Sequence, residues 1–128
     1  MLTRMQTGAD VLVEIGGAKL GSAGSYLTRA EREVQPVWEF GETQPAGMRC
    51  GRTVHRIELR RLRLAPGTLT QGSELYALAD FTLSVVRGGQ RITYAHCEWE
   101  LIEESADAQD EILERAVFYA CTRTQSAA

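Results

Sequence analysis

Val11-Leu12-Val13-Glu14-Ile15-Gly16-Gly17-Ala18-Lys19-Leu20 decides the fold. Residues 11–15 form a short, largely β-branched run. Gly16-Gly17 then supplies the positive φ that a two-residue hairpin turn demands, and Ala18-Lys19-Leu20 begins the return. The device recurs downstream: Phe81, Leu83 and Val85 alternate, Gly88-Gly89 closes a second tight hairpin, and Ile92 and Tyr94 open its return strand. A parity slip follows at Ala95-His96. Beyond it Cys97, Trp99 and Leu101 point one way while Glu98 and Glu100 point the other, the pattern of a strand with one buried and one wet face.

Between these hairpins, Gly21 to Ser25 reads as a bend or bulge and Tyr26 to Val34 as a weakly alternating strand. Residues 35–51 carry two prolines and three glycines, which predicts a long inter-strand loop. Trp38 and Phe40 sit in it, and a merely flexible linker has no use for them. Thr53 to Leu64 is strand-like, with a slip near Arg60-Arg61 that a bulge would explain. Within Leu69 to Ala79, Leu75, Leu78 and Ala79 suit a short helix covering an open end of a sheet. Ile112 to Arg123 fits either period, and the β-favouring Val117-Phe118-Tyr119 decides for a strand. The expected fold is mainly β: an antiparallel β-barrel or sandwich of about six to seven strands with one short flanking α-helix. It forms a single domain over residues 1–128, with an N-terminal segment 1–10 and a C-terminal tail 124–128.

The chain has 128 residues, 44% of them hydrophobic, enough to build one core. No stretch approaches the ~20 apolar residues of a membrane span, and residues 1–6 lack the apolar centre of a signal peptide, so synthesis in the cytosol is expected. Cys50, Cys97 and Cys121 are odd in number and widely spaced, which suits reduced, buried thiols.

Charge type is more informative than the net charge of −3. Thirteen of the fourteen basic residues are Arg, Lys19 being the exception, which favours fixed bidentate partners. Residues 52–63 hold Arg52, Arg56, Arg60, Arg61 and Arg63 against Glu58 alone. Residues 98–114 hold Glu98, Glu100, Glu103, Glu104, Asp107, Asp110, Glu111 and Glu114 with no base. These strips either form a solvated mixed surface or associate head to tail, the basic patch of one copy meeting the acidic patch of the next.

Catalytic patterns are missing. His55 and His96 fall in different strands and in no GxSxG, HExxH or Cys/His arrangement. Gly16 to Ser22 has some letters of a phosphate loop, but Lys19 precedes the second glycine and no helix-forming run follows. The acidic run lacks the ligand order of a calcium loop. An acidic domain also lacks the positive field that drives nucleic-acid binding. The chain reads as a non-enzyme without cofactor or metal.

The order of features resembles the tail tube proteins of long-tailed bacteriophages. The resemblance is carried by Val13-Glu14-Ile15-Gly16-Gly17, by Arg32-Glu33-Val34-x-Pro36-Val37, by Phe40-Gly41 followed by Pro45, and by Gly51-Arg52 leading into the Arg-rich strand. It continues through Tyr94-x-x-Cys97-x-Trp99-x-Leu101-Ile102, the Ser105-x-Asp107 loop and Ile112 to Arg123. It implies a virion structural protein, made in the host bacterial cytoplasm, whose six-copy rings stack into a hollow tail tube. DNA would pass through without specific binding, and sheath, baseplate or terminator proteins would be partners. Tube initiators of the baseplate and tubes of injection systems are related alternatives.

Under that resemblance the 35–51 loop reaches a neighbouring ring, and Arg32, Trp38, Glu39, Phe40 and Arg49 are its interface candidates. Trp38 and Phe40 either anchor that interface or pack on their own domain. Arg56, Arg60, Arg61 and Arg63 are expected to pair with Glu103, Glu104, Asp107 and Asp110 of a neighbour, setting register more than strength. Glu98 and Glu100 either line the channel or face solvent outside. A competing class is a monomeric ligand-binding barrel, with Phe81, Tyr94 and Trp99 lining a pocket.

Overall fold

The computed structural model describes residues 11–64, 73–106 and 111–127. Seven antiparallel strands form one sheet: β1 (Val11–Ile15), β2 (Ala18–Val37), β3 (Gly47–Leu64), β4 (Phe81–Arg87), β5 (Gln90–Ala106), β6 (Glu111–Ala120) and β7 (Thr122–Ala127). Their order is β4-β1-β2-β3-β6-β5-β7, and β4 also pairs with β5, so the sheet closes on itself. The expected flanking helix is represented by a single turn, Ser73–Tyr76. Most of the stretch before it lies outside the described residues.

Both glycine hairpins form as the sequence predicts. Gly16 and Gly17 have φ of 60° and 85°, and Gly88 and Gly89 have 57° and 79°, the mirror-image turn whose twist matches the flanking strands. Val11, Val13, Ile15, Leu83 and Val85 then face inward with Leu20, Ile57, Leu59 and Phe118. Phe81 stacks edge-on against Phe118 at 5.6 Å and Tyr94 is fully buried, so two of the three residues expected to line a ligand pocket instead fill the core.

One of the two parity slips is a bulge. At the other, the expected bulge is corrected: Arg61 has φ 54°, but the register is the same in Ser25↔Arg60 and Ala23↔Leu62, so β2 and β3 turn their parity together and Leu62 returns to the core. His96 has φ 56° within a jump from Leu83↔Tyr94 to Phe81↔Cys97. Residues 111–120 form a strand with a similar jump, Glu103↔Arg115 giving way to Glu104↔Leu113. Parity therefore changes inside it, and Leu113, Ala116, Phe118 and Ala120 all point inward, which explains why neither period fitted the whole segment.

The long loop over residues 35–51 is corrected. β2 runs to Val37 and β3 begins at Gly47, so only residues 38–46 connect them. Pro36, Gly47 and Gly51 read as breakers, yet each strand here has one open edge. A proline tolerates that position because its missing N–H can face outward. The cysteine reading is corrected too: Cys97 is buried, whereas Cys50 and Cys121 are exposed.

Gly21 fixes where β2 crosses from β1 to β3. A methyl group there would collide with the Arg63 carbonyl of the facing backbone. Gly21→Ala is expected to lower unfolding free energy by about 2 kcal/mol, measured by urea denaturation followed by circular dichroism.

Candidate functional site: a projecting hairpin arm and an arginine-rich face

β1 covers β2 only as far as Ala23, and β6 covers β3 only from His55 onward. Outward of the Ala30↔His55 pair, β2 and β3 have no third strand among the described residues and continue as a two-stranded arm to Val37↔Gly47. That is about 25 Å of ribbon at ~3.3 Å per residue. Val34 lies opposite Cys50 and Pro36 opposite Met48, so these four share one face of the arm. Gln35 and Arg49 form a pair on the other. Val34 and Met48 are exposed on the first face, and Val37 and Val54 are exposed on the second.

Its tip is ordered by two backbone bonds, Ala46 N–H to Val37 O at 2.7 Å and Glu42 N–H to Glu39 O at 3.2 Å. Gly41, with φ 85°, occupies the third position of the Glu39–Glu42 turn, where a type II turn needs positive φ. Phe40 therefore sits at the apex, fully exposed, and Trp38 beside it is 58% exposed. Arg32, Trp38, Glu39, Phe40 and Arg49 are thus gathered on one projecting element.

The basic strip is arranged differently from the expectation. Glu58, the lone acid among the arginines, is nearly buried and collects three of them: Arg60 Nε at 2.5 Å, Arg56 Nη1 at 3.3 Å and Arg115 Nε at 3.3 Å. Hydrogen bonds from Arg60 and Arg115 hold its carboxyl at about 2, well below the usual carboxylate range. Arg56 and Arg60 are therefore engaged with Glu58 inside the chain. Val117, opposite Glu58 on β6, is fully buried yet outside the core cluster, so it lies under this outer group. Arg61 is exposed at its left-handed position, and Arg63 lies opposite Ser22.

On the acidic side, Glu104 accepts a hydrogen bond from the Tyr76 hydroxyl, and Glu103 lies opposite Arg115. Asp107 and Asp110 lie outside the described residues. Glu98 accepts the Asp80 N–H at 3.1 Å, Asp80 in turn holds His96 Nδ1 at 2.8 Å, and Glu100 is exposed where the register jumps between Trp99 and Leu101. The Trp99 indole donates to Tyr76 O at 3.3 Å and its ring meets Tyr76 edge-on. Inside the sheet, the Tyr94 hydroxyl donates to Thr28 at 2.9 Å and also bonds Tyr26, whose own hydroxyl burial pushes well above the usual phenol value. Burial pushes the Cys97 thiol up to about 11. Among the described residues no three His, Cys, Asp or Glu side chains converge as a metal site.

Sequence reasoning missed the Glu58 cage and the Tyr26–Tyr94–Thr28 network. A single acid inside an arginine run was the available signal for the first. The second joins residues more than sixty positions apart, which no local pattern marks.

Solved structures share this fold. A chain of the PVC sheath-tube complex of an extracellular contractile injection system in its extended state matches with a TM-score of 0.65 at 12% identity, over 94% of this chain and 90% of that one. A chain of the PVC sheath/tube terminator in the extended state matches with a TM-score of 0.62 at 13% identity, over 99% and 100%. No family model matches the chain, and no curated protein does. The protein thus has a fold found in the sheath, tube and terminator assemblies of contractile injection systems.

Because the folded carboxyl of Glu58 ionises near 2 rather than 4.5, its contribution to stability is complete above pH 4.5 and is lost as pH falls from 4.5 to 2. Glu58→Gln is expected to cost about 2 kcal/mol at pH 7 and to flatten the stability curve across that window, read by denaturant unfolding at a series of pH values.

Proposed function

We propose that the chain is a structural subunit of a tube, which self-associates into rings that stack, and that it catalyses no reaction. The observation that carries this reading is the arm: an isolated two-stranded ribbon is marginal in water, and this one exposes an apolar face and two aromatic residues. Such a surface gains its cover from a partner. The tail-tube resemblance and the two injection-system folds support an identical subunit as that partner, six to a ring, with the closed sheet as a small barrel and a sheath outside.

In a phage tail the channel would conduct DNA, and the exposed Glu98 and Glu100 would supply a wall that repels phosphate. An injection-system tube is the neighbouring reading, favoured by the origin of both matched structures. Near full-length agreement with the terminator chain also favours a place at the end of a tube.

Purified protein examined by negative-stain microscopy at rising concentration should show rings and stacked rings. Trp38→Ala with Phe40→Ala should abolish stacking while the subunit's circular dichroism and melting temperature stay unchanged. A monodisperse monomer at high concentration would overturn the proposal.

A further inference from the structure

His55 sits where the sheet forks. β6 ends opposite it at the His55↔Ala120 pair. Beyond that pair β3 continues as the arm, while the chain of β6 passes through Cys121 into β7. β7 is paired to β5 through Tyr94↔Arg123 and its neighbours, is exposed at all six residues, and touches β3. The His55 ring lies 6.2 Å from the ring of the buried Tyr94. Its Nδ1 is shielded from solvent and has no hydrogen-bond partner among the described residues. A neutral imidazole can leave that nitrogen as a bare acceptor. Protonation makes both ring nitrogens donors, so a charged N–H would then be buried without an acceptor.

The groups around this ring offer it no negative charge. β2 contributes Ala30 directly opposite, with the Tyr26 and Thr28 hydroxyls, both bonded to the Tyr94 hydroxyl of β5. One pair further out on the same face of the arm is Arg32↔Thr53. β6 contributes the apolar Phe118 and Ala120. β7 contributes Arg123, which bonds the neutral Gln125 at 3.5 Å and pairs with no carboxylate among the described residues. Glu58, on the same strand as His55, is occupied on the outer face by Arg56, Arg60 and Arg115. Burial holds His55 below the ordinary imidazole value, and repulsion from Arg123 lowers it further. The unfolded chain therefore takes up this proton more readily than the folded one. The fork is at full strength above about pH 6.5 and weakens as pH falls below it.

We propose that His55 is an acid-sensitive latch between the arm and β7: with the ring neutral the two branches of the fork lie together, and with the ring protonated Arg123 and the strand that bears it are driven off. β7 is the branch that yields, because its only ladder among the described residues is the one to β5, whereas the arm is two strands joined along their length. The latch belongs to the single folded subunit and holds whether or not copies stack. In a stacked tube it would make the placement of the arm depend on pH.

Amide exchange of the full-length chain, dispersed at low concentration, tests this at about pH 7.5 and about pH 5, on either side of the ordinary imidazole value, with rates corrected for their intrinsic pH dependence. The lower pH stays above the window in which Glu58 takes up a proton. In acid the protected amides among residues 122–127 should lose at least about tenfold in protection, while those of Ile57, Leu83 and Phe118 change less than about twofold. His55→Gln should abolish the difference. Should that variant fail to fold, Arg123→Gln removes the like charge at an exposed position. The acid loss should then shrink below about threefold, and the His55 ring, followed by nuclear magnetic resonance, should titrate at a higher pH than in the native chain. Equal β7 protection at both pH values, an undiminished acid loss in His55→Gln, or a His55 ring that titrates at the same pH with and without Arg123 would overturn the proposal. None of these results bears on whether the chain builds a tube.

Discussion

The closed sheet is the constraint from which the other features follow. Closure needs β4 to reach both β1 and β5, and those contacts involve short strands: five residues in β1 and seven in β4. β2 and β3, at twenty and eighteen residues, are far longer than this ring of short strands can cover. Their surplus leaves the closed sheet as the arm, and with it go the exposed Val34, Val37, Met48 and Val54. The bulge at His96 is a local cost of closure, since it turns the inward parity where β5 passes from β7 to β6.

Interior and exterior are held by different forces. Inside, aliphatic side chains from six strands and Phe81 on Phe118 give a dry core, with one polar network through Tyr26, Tyr94 and Thr28. Outside, on the face shared by β2, β3 and β6, a nearly buried carboxylate is surrounded by arginines rather than covered by another layer. A buried charge is tolerable only with such partners. The rows continue onto β5 as Tyr119↔Glu98 and Arg115↔Glu103, so exposed carboxylates share that face with the arginines.

Much of the fold was legible in the sequence, and the reasons are local. Gly16-Gly17 and Gly88-Gly89 permit few backbone conformations between β-branched runs, so the hairpins were readable, and parity slips revealed the bulge at His96 and the left-handed turn of parity at Arg61. What was not legible depends on neighbours. Pro36, Gly47 and Gly51 signal a loop unless their strands have open edges, and openness is a property of the whole sheet. Cys50 and Cys121 were assigned inward because cysteines usually are, while the arm and the break between β6 and β7 leave them outside. At the candidate site, Trp38 and Phe40 stood out as aromatic residues among turn formers. Glu58 did not, because its three arginines include one from another strand.

The account stands on the arm being completed only by another copy, and amide hydrogen exchange tests that most directly. Exchange would be followed residue by residue, for the dispersed chain at low concentration and for the assembled form. The account predicts that residues 31–37 and 47–54 exchange freely when dispersed and become strongly protected on assembly, while the Ile57, Leu83 and Phe118 amides are protected in both. Equal protection of the arm in the dispersed and assembled chain, or an arm that stays unprotected in the assembly, would contradict it.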